Sequence, residues 1–214
     1  MYTIRLPFFM RLPIKQLIWR KPQPNPTVYL TFDDGPIPEV TPWVLELLKR
    51  EAIQATFFCI GDNVQKHPEL MLKIKNEQHA IGNHTQQHLN GWQTNYHAYI
   101  KDCLLAEETL TPYTHKDIKL FRPPYGKCTK KQRKFLKSKG YQLVMWSVLS
   151  ADFDTKINKE KCLENIIKNT SSGSVIILHD SLKTINKIEY VLPRVLKHFS
   201  ELGYEFKRVD SLTL

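Results

Sequence analysis

The chain has 214 residues, enough for one large domain or two small ones, and its 42% hydrophobic and 24% charged residues are the balance of an ordinary soluble globular protein. That composition excludes disordered, collagen-like and disulfide-scaffold classes, and no segment reaches the roughly 18 uninterrupted apolar residues of a membrane span. Against 21 acidic residues stand 31 Lys and Arg, a net charge of +10 that invites a nucleic-acid or acidic-surface partner unless the excess has a local explanation.

Residues 1–26 read as an N-terminal extension. Arg5 and Arg11 bracket its best apolar stretch and no small-residue cleavage site follows, so no cleavable signal peptide is predicted. Together with Lys15, Arg20 and Lys21 they make an acid-free segment that can pack against the domain or make peripheral contact with an anionic membrane. Pro22, Pro24 and Pro26 form a stiff connector, and the main domain, residues 27–214, starts beyond it. Strand-like runs at 27–32, 55–60, 80–81, 120–121, 142–148, 174–178 and 204–209 alternate with amphipathic stretches at 40–51, 69–77, 96–109, 159–168 and 185–202. Between the fourth and fifth strands lies a basic segment, with Lys127, Lys130, Lys131, Arg133, Lys134, Lys137 and Lys139 and no acid. It reads as a short helix capped by Thr129, ended by Gly140 and wetted by its cations. Strand followed by helix, about six times over, predicts a parallel α/β architecture, either an open sheet or a closed barrel. Cys59, Cys103, Cys128 and Cys162 are few, widely spaced and without a Cys-x-x-Cys pair, and they read as reduced thiols.

Both α/β architectures place active sites at the carboxyl ends of their strands, and chemistry-bearing residues gather there. Asp33 and Asp34 end the first strand at a Gly35-Pro36 turn. His84 and His88, spaced i, i+4, would share one face of a helical turn and can bind one metal, without the Glu of a His-Glu-x-x-His site. Arg122 precedes Pro123, Pro124 and Tyr125, two prolines that stiffen a loop and fix a charge and a backbone N–H. His179-Asp180 closes the strand 174–178. Each of these has an ordinary reading as a turn, a surface pair or a rim residue, but their joint occurrence does not.

The order TFDDGP, FFCIGDN, HTQQH, RPPYG, a Trp-containing segment and ILHD resembles the NodB-homology polysaccharide deacetylases, from residue 27 to residue 180 and with compatible alternation to 209. The resemblance implies a single domain folded as a distorted (β/α)7-type barrel and a metal-dependent hydrolase that removes acetyl groups from glycans such as chitin, peptidoglycan and xylan. It implies Asp34, His84 and His88 as ligands of a divalent metal, most simply Zn²⁺, with Co²⁺ or Ni²⁺ also accepted by such a donor set. It further implies Asp33 as general base, oriented and kept ionised by Arg122, and the Tyr125 backbone N–H as oxyanion donor. His179 becomes the acid for the leaving amine, with Trp146 and Leu178 lining the acetyl pocket and Pro123 and Pro124 shaping its wall.

The chain departs from the family around residues 145–153. Many members carry Asp where Leu149 stands and Asp-Trp where Asp152-Phe153 stands, which leaves open whether Asp152 or Asp154 supports His179. The expected substrate is an N-acetylglucosamine-containing glycan, its identity set by loops at 61–67, 90–95 and 111–116. A deacylase or deformylase of a lipid-linked sugar on the same fold is the nearest alternative. A basic nucleic-acid or anionic-surface binding domain is the alternative from another class; it predicts salt-sensitive binding indifferent to chelators, and the absence of aromatic interleaving argues against a nucleic-acid partner. Without a recognised export signal the expected location is cytoplasmic or membrane-peripheral, while the family points to the cell envelope.

Overall fold

The computed structural model describes residue 4 and residues 17–20, 23–114 and 118–211. Most of the basic N-terminal segment, and with it the expected membrane contact, lies outside the described residues. So does the end of the expected 111–116 loop. Among the described residues no helix is long and apolar enough to cross a membrane.

In chain order the elements are β1 (Thr27–Asp33), α1 (Thr41–Arg50), β2 (Thr56–Cys59), α2 (Gly61–Lys66), α3 (Pro68–Asn76), β3 (Ala80–Asn83), α4 (Tyr96–Leu110), β4 (Lys119–Phe121), α5 (Lys130–Ser138), β5 (Tyr141–Leu143), β6 (Val148–Leu149), α6 (Lys159–Asn169), β7 (Ser174–His179), α7 (Ile185–Glu201) and β8 (Glu205–Lys207). All the strand pairs are parallel, in the order β5-β4-β3-β2-β1-β7-β6, with β8 also against β1. β7 follows one edge of β1, from Val28 to Asp33. The other edge is divided, with β8 beside Thr27–Tyr29 and β2 beside Thr31–Asp33. β1 is therefore buried along its whole length, which its unbroken burial from Thr27 to Asp33 reflects.

β5 and β6 are neighbours in sequence but stand at opposite ends of the strand order, so the sheet is curled until its edges nearly meet. Residues 142–148, expected as one strand, are instead split. The cause is Arg122, a fully buried cation whose Nε donates to Val144 O (3.2 Å) and whose Nη2 donates to Met145 O (3.0 Å). Carbonyls turned to a guanidinium cannot serve a ladder, and a buried Arg has few other acceptors. Val144 N still donates to Phe121 O and Ser147 N to Val175 O, so the chain steps from one edge to the other across these residues. The seam is covered by the N-terminal segment: Ile18 bridges Val144 and Arg20 bridges Ser174.

Alternation along the strands sends side chains to two apolar layers. Tyr29, Phe58, Ala80, Leu120, Val144 and Val175 fill the interior of the curled sheet. Phe32, Ile176 and Leu178 point outward with Val191, Leu192 and Val195 of α7. The basic segment is a helix as expected, with Thr129 accepting from Gln132 N and the Gln132 side chain answering Thr129 N, a reciprocal cap. All four cysteines are free and buried. The short helix α2, in a stretch expected as loop, was hidden by its length of 6 residues, too few to show a helical period.

Candidate metal centre and its flanking charge pairs

Asp34, His84 and His88 come together at the carboxyl ends of β1 and β3, each offering one ligand atom within 4.8 Å of the others. The imidazoles do not sit on a helical turn. Residues 84–88 form an irregular loop with Thr85 at φ 67° and His88 at φ 54°, and buried side chains impose that path. Asn83 Oδ1 accepts from Thr85 N (2.8 Å), and Asp102 Oδ2, from α4, accepts from Gln86 N (2.9 Å) and Gln87 N (3.2 Å). An Asp reaching across from another helix leaves no local mark in sequence, which is why an i, i+4 spacing looked helical.

The donor set fits a divalent ion. His84 Nδ1 is 2.7 Å from Arg122 O, which fixes the proton on Nδ1 and leaves the Nε2 lone pair facing Asp34. Burial pushes the His84 pKa down to about 4, so the ring is neutral, as a ligand must be. His88 Nε2 lies 3.2 Å from Asp34 Oδ1, yet that buried oxygen has no hydrogen-bond partner. An orphaned carboxylate oxygen between two imidazole nitrogens is the arrangement a cation completes. Burial opposes ionisation of Asp34, but His88, His179 and His84 outweigh it and hold the carboxyl well below the usual range.

The turn bearing Asp34, at φ 84°, is fastened from several sides. Asn63 Nδ2 donates to Asp34 O (2.7 Å), and Asp180 accepts from Gly35 N (3.1 Å) and from Thr41 Oγ1 (2.6 Å). A Cβ on Gly35 would fall 2.1 Å from Asp180 Oδ2, so only glycine fits. The first N–H groups of α2 complete the frame: Gly61 N donates to Thr85 O and Asp62 N to Gln86 O, tying the two ligand loops together. Asn63, Asp102 and Asp180 were not singled out in the sequence; the IGDN and His-Asp pairs were visible, but not what their side chains would hold.

Two charge pairs flank Asp34. Arg122 Nη1 donates to Asp33 Oδ1 (2.6 Å) and to Thr31 Oγ1 (2.8 Å), with the guanidinium carbon 4.1 Å from the centroid of the Phe58 ring. On the other side His179 Nδ1 meets Asp152 Oδ1 at 2.7 Å, and His179 N donates to Asp152 Oδ2 (2.8 Å). Asp152 therefore supports His179, while Asp154 caps Lys156 N. Burial alone would lower the His179 pKa, but the Asp152 carboxylate prevails and raises it to about 10. Phe153 sets its ring edge-on to His179 at 5.4 Å.

Tyr125 stands at φ 58° in a tight turn over Pro124–Gly126, its ring 4.7 Å from that of His88. Gly126 N and Lys127 N donate back to Pro123 O and Pro124 O, whereas among the described residues no acceptor is paired with the Tyr125 N–H. Trp146 touches this turn, since a Cβ on Gly126 would meet its ring at 2.8 Å. Pro123 and Pro124 are buried beneath it. Leu178 is not in the site: it is fully buried in the outer layer against α7. By the period-two alternation, Ile177, paired with Thr31, takes the inward position beside His179.

A curled parallel sheet carrying an Asp-His-His cluster that fits a divalent ion, set between a carboxylate–Arg pair and a His–carboxylate pair, is the frame of a hydrolytic centre. The polysaccharide deacetylase family model matches residues 20–144, and the chain belongs to that family. It is 34% identical over 201 residues to a peptidoglycan-N-acetylglucosamine deacetylase of Bacillus cereus, covering 94% of each chain. It is likewise 34% identical to the peptidoglycan-N-acetylmuramic acid deacetylase PdaA of Bacillus subtilis, over 87% of this chain and 71% of that one. Among solved structures, a peptidoglycan N-acetylglucosamine deacetylase in complex with 4-naphthalen-1-yl-N-oxidanyl-benzamide superposes with a TM-score of 0.83 at 30% identity, covering 96% of both chains.

Proposed function

We propose that the protein hydrolyses the N-acetyl group of N-acetylglucosamine units in a glycan of the peptidoglycan or chitooligosaccharide type, releasing acetate and leaving a free amine. The observation that carries this reading is the Asp34–His84–His88 cluster standing between Asp33–Arg122 and His179–Asp152. Asp34, His84 and His88 would hold a divalent ion, Zn²⁺ first and Co²⁺ or Ni²⁺ as substitutes, which when bound would supply Lewis-acid polarisation and acidify water.

The protein residues then divide the proton traffic. Asp33 Oδ1 is engaged by Arg122, so Oδ2, on the side of His84, takes the proton of the attacking water. The Tyr125 N–H donates to the oxygen on which negative charge develops, a contribution typically worth about 10²–10³ in rate. His179, cationic through Asp152 and with Nδ1 occupied, gives its Nε2 proton to the departing nitrogen as the C–N bond breaks. Ile177 and Trp146 bound the space on either side for the acetyl methyl. The family relationship and the intact donor set support this reading over a nucleic-acid-binding domain. The test is acetate release from N-acetylglucosamine oligomers and peptidoglycan fragments, with and without chelator; release of formate from a lipid-linked sugar in its place would favour the alternative deacylase.

A further inference from the structure

Two loops leave the site side by side and end in a feature the reaction above does not use. One runs outward from His88, the other from Tyr125. At their inner ends the His88 and Tyr125 rings are 4.7 Å apart; at their outer ends Lys127 Nζ lies 3.9 Å from the centroid of the Trp92 ring. Trp92 is 64% exposed, an unusual position for a large apolar ring.

The backbone that carries this indole is held firmly. Gln132 Nε2 donates to Gly91 O (2.9 Å), and Trp92 N donates to Asn90 Oδ1 (3.0 Å). A Cβ on Gly91 would lie 2.5 Å from Lys127 O and 2.8 Å from Gln132 Oε1, so the two loops are in backbone contact. Gln132 is the same residue that closes the reciprocal cap of α5. The loop bearing the ring is thus fastened to the helix bearing the cations. Lys130, Lys131 and Lys134 are exposed on α5, and Lys131 Nζ lies 4.1 Å from the centroid of Tyr96. The ion pairs among the described residues involve none of the seven cations between residues 127 and 139.

We propose that Trp92 and Lys127 form a subsite for a carboxylate-bearing sugar beside the one being deacetylated, so that anionic glycan strands are preferred over neutral chains bearing the same acetamide. The indole face that Lys127 leaves free offers an apolar surface to the C–H side of a pyranose, and the ammonium lying over the other face supplies the charge that attracts the carboxylate. The unpaired cations of α5 raise the local concentration of a polyanionic strand and steer it toward the site mouth. A neutral chain uses the ring but not the charges. A polynucleotide finds cations but only one fixed, exposed ring rather than a series on which successive bases stack.

The inference rests on the proposed activity, and the experiment separates the two. Holoenzyme is assayed on chitotetraose and on a tetrasaccharide of alternating N-acetylglucosamine and N-acetylmuramic acid, at low and at high salt. The expected kcat/KM is about fivefold higher for the anionic chain at low salt, the preference falling as salt screens the pairing. Lys127→Gln brings the anionic-to-neutral ratio of kcat/KM close to one, while Trp92→Ala raises KM for both substrates with kcat retained. An anionic-to-neutral ratio unmoved by Lys127→Gln overturns the proposal. Calorimetric binding of the two oligosaccharides to wild type and Lys127→Gln reads the same ratio even where no acetate is released, with equal affinities in the wild type overturning it.

Discussion

Asp34 stands between two buried charge pairs of opposite construction. In one, the carboxylate Asp33 faces the open centre and its partner Arg122 is hidden, with its donors spent on Thr31, Asp33, Val144 and Met145. In the other, the cationic partner His179 faces the centre and the carboxylate is hidden, both oxygens of Asp152 being engaged by His179 and Ser150. Arginine does not give up its proton in proteins, so it can orient a base without competing for the proton the base collects. Histidine beside a carboxylate keeps its proton yet can release it on demand. The difference between the pairs underlies the direction we propose for the reaction, with Asp33 collecting a proton and His179 releasing one.

The largest effect is expected on the proton-accepting side. Asp33→Asn keeps the shape and the Asp34–His84–His88 cluster, so metal content measured on the purified variant should stay at the wild-type value while kcat falls by about 10²–10⁴. Turnover near wild type would remove Asp33 from the base role. On the donating side, Asp152→Asn deletes the charge that raises the His179 pKa and leaves the burial that lowers it. The alkaline limb of the pH–rate profile should then move to lower pH, with kcat at neutral pH down by roughly 10². The same pair is linked to stability. His179 has a folded pKa raised above its unfolded value, so its contribution is fully present below about pH 6.5 and is lost as pH rises through about 10. Denaturant midpoints of wild type and Asp152→Asn should therefore converge at alkaline pH.

Smaller effects belong to the frame that holds both pairs in register. Gly35→Ala forces a methyl group into Asp180 and should cost about 1–3 kcal/mol in chemical denaturation, with turnover falling less than in Asp33→Asn. Asp102→Asn retains an acceptor for the Gln86 and Gln87 N–H groups but weakens both bonds. It should lower metal affinity by roughly tenfold in a competition titration while leaving kcat of the saturated enzyme nearly unchanged. A large kcat loss there would mean that the 84–88 loop does more than place ligands.

Much of this was legible in the sequence because it is local. The strand–helix alternation, the Thr129 cap and the position of each chemical group at a strand end follow from patterns a few residues long. The resemblance named Asp34, His84 and His88 together, and the fold brings them together. What escaped depends on contacts distant in sequence. Arg122 splits the expected 142–148 strand by taking two of its carbonyls, Asp102 bends the His84–His88 loop from α4, and Asp152 rather than Asp154 reaches His179 only because β6 lies against β7. Leu178 was misplaced for a simpler reason: adjacent residues on a strand face opposite ways, and His179 faces inward. The charge of +10, the most conspicuous feature of the composition, is explained in part by the wet face of α5, and what we propose for it narrows to the cations beside the site.

The most direct test of the central claim is acetate release from N-acetylglucosamine oligomers by one preparation taken through metal loading, chelation and reloading, with metal content measured at each stage. The expected result is about one divalent ion per chain and acetate release when loaded, loss of both on chelation, and recovery of both with Zn²⁺ or Co²⁺. Undiminished acetate release from protein shown to be metal-free would contradict it.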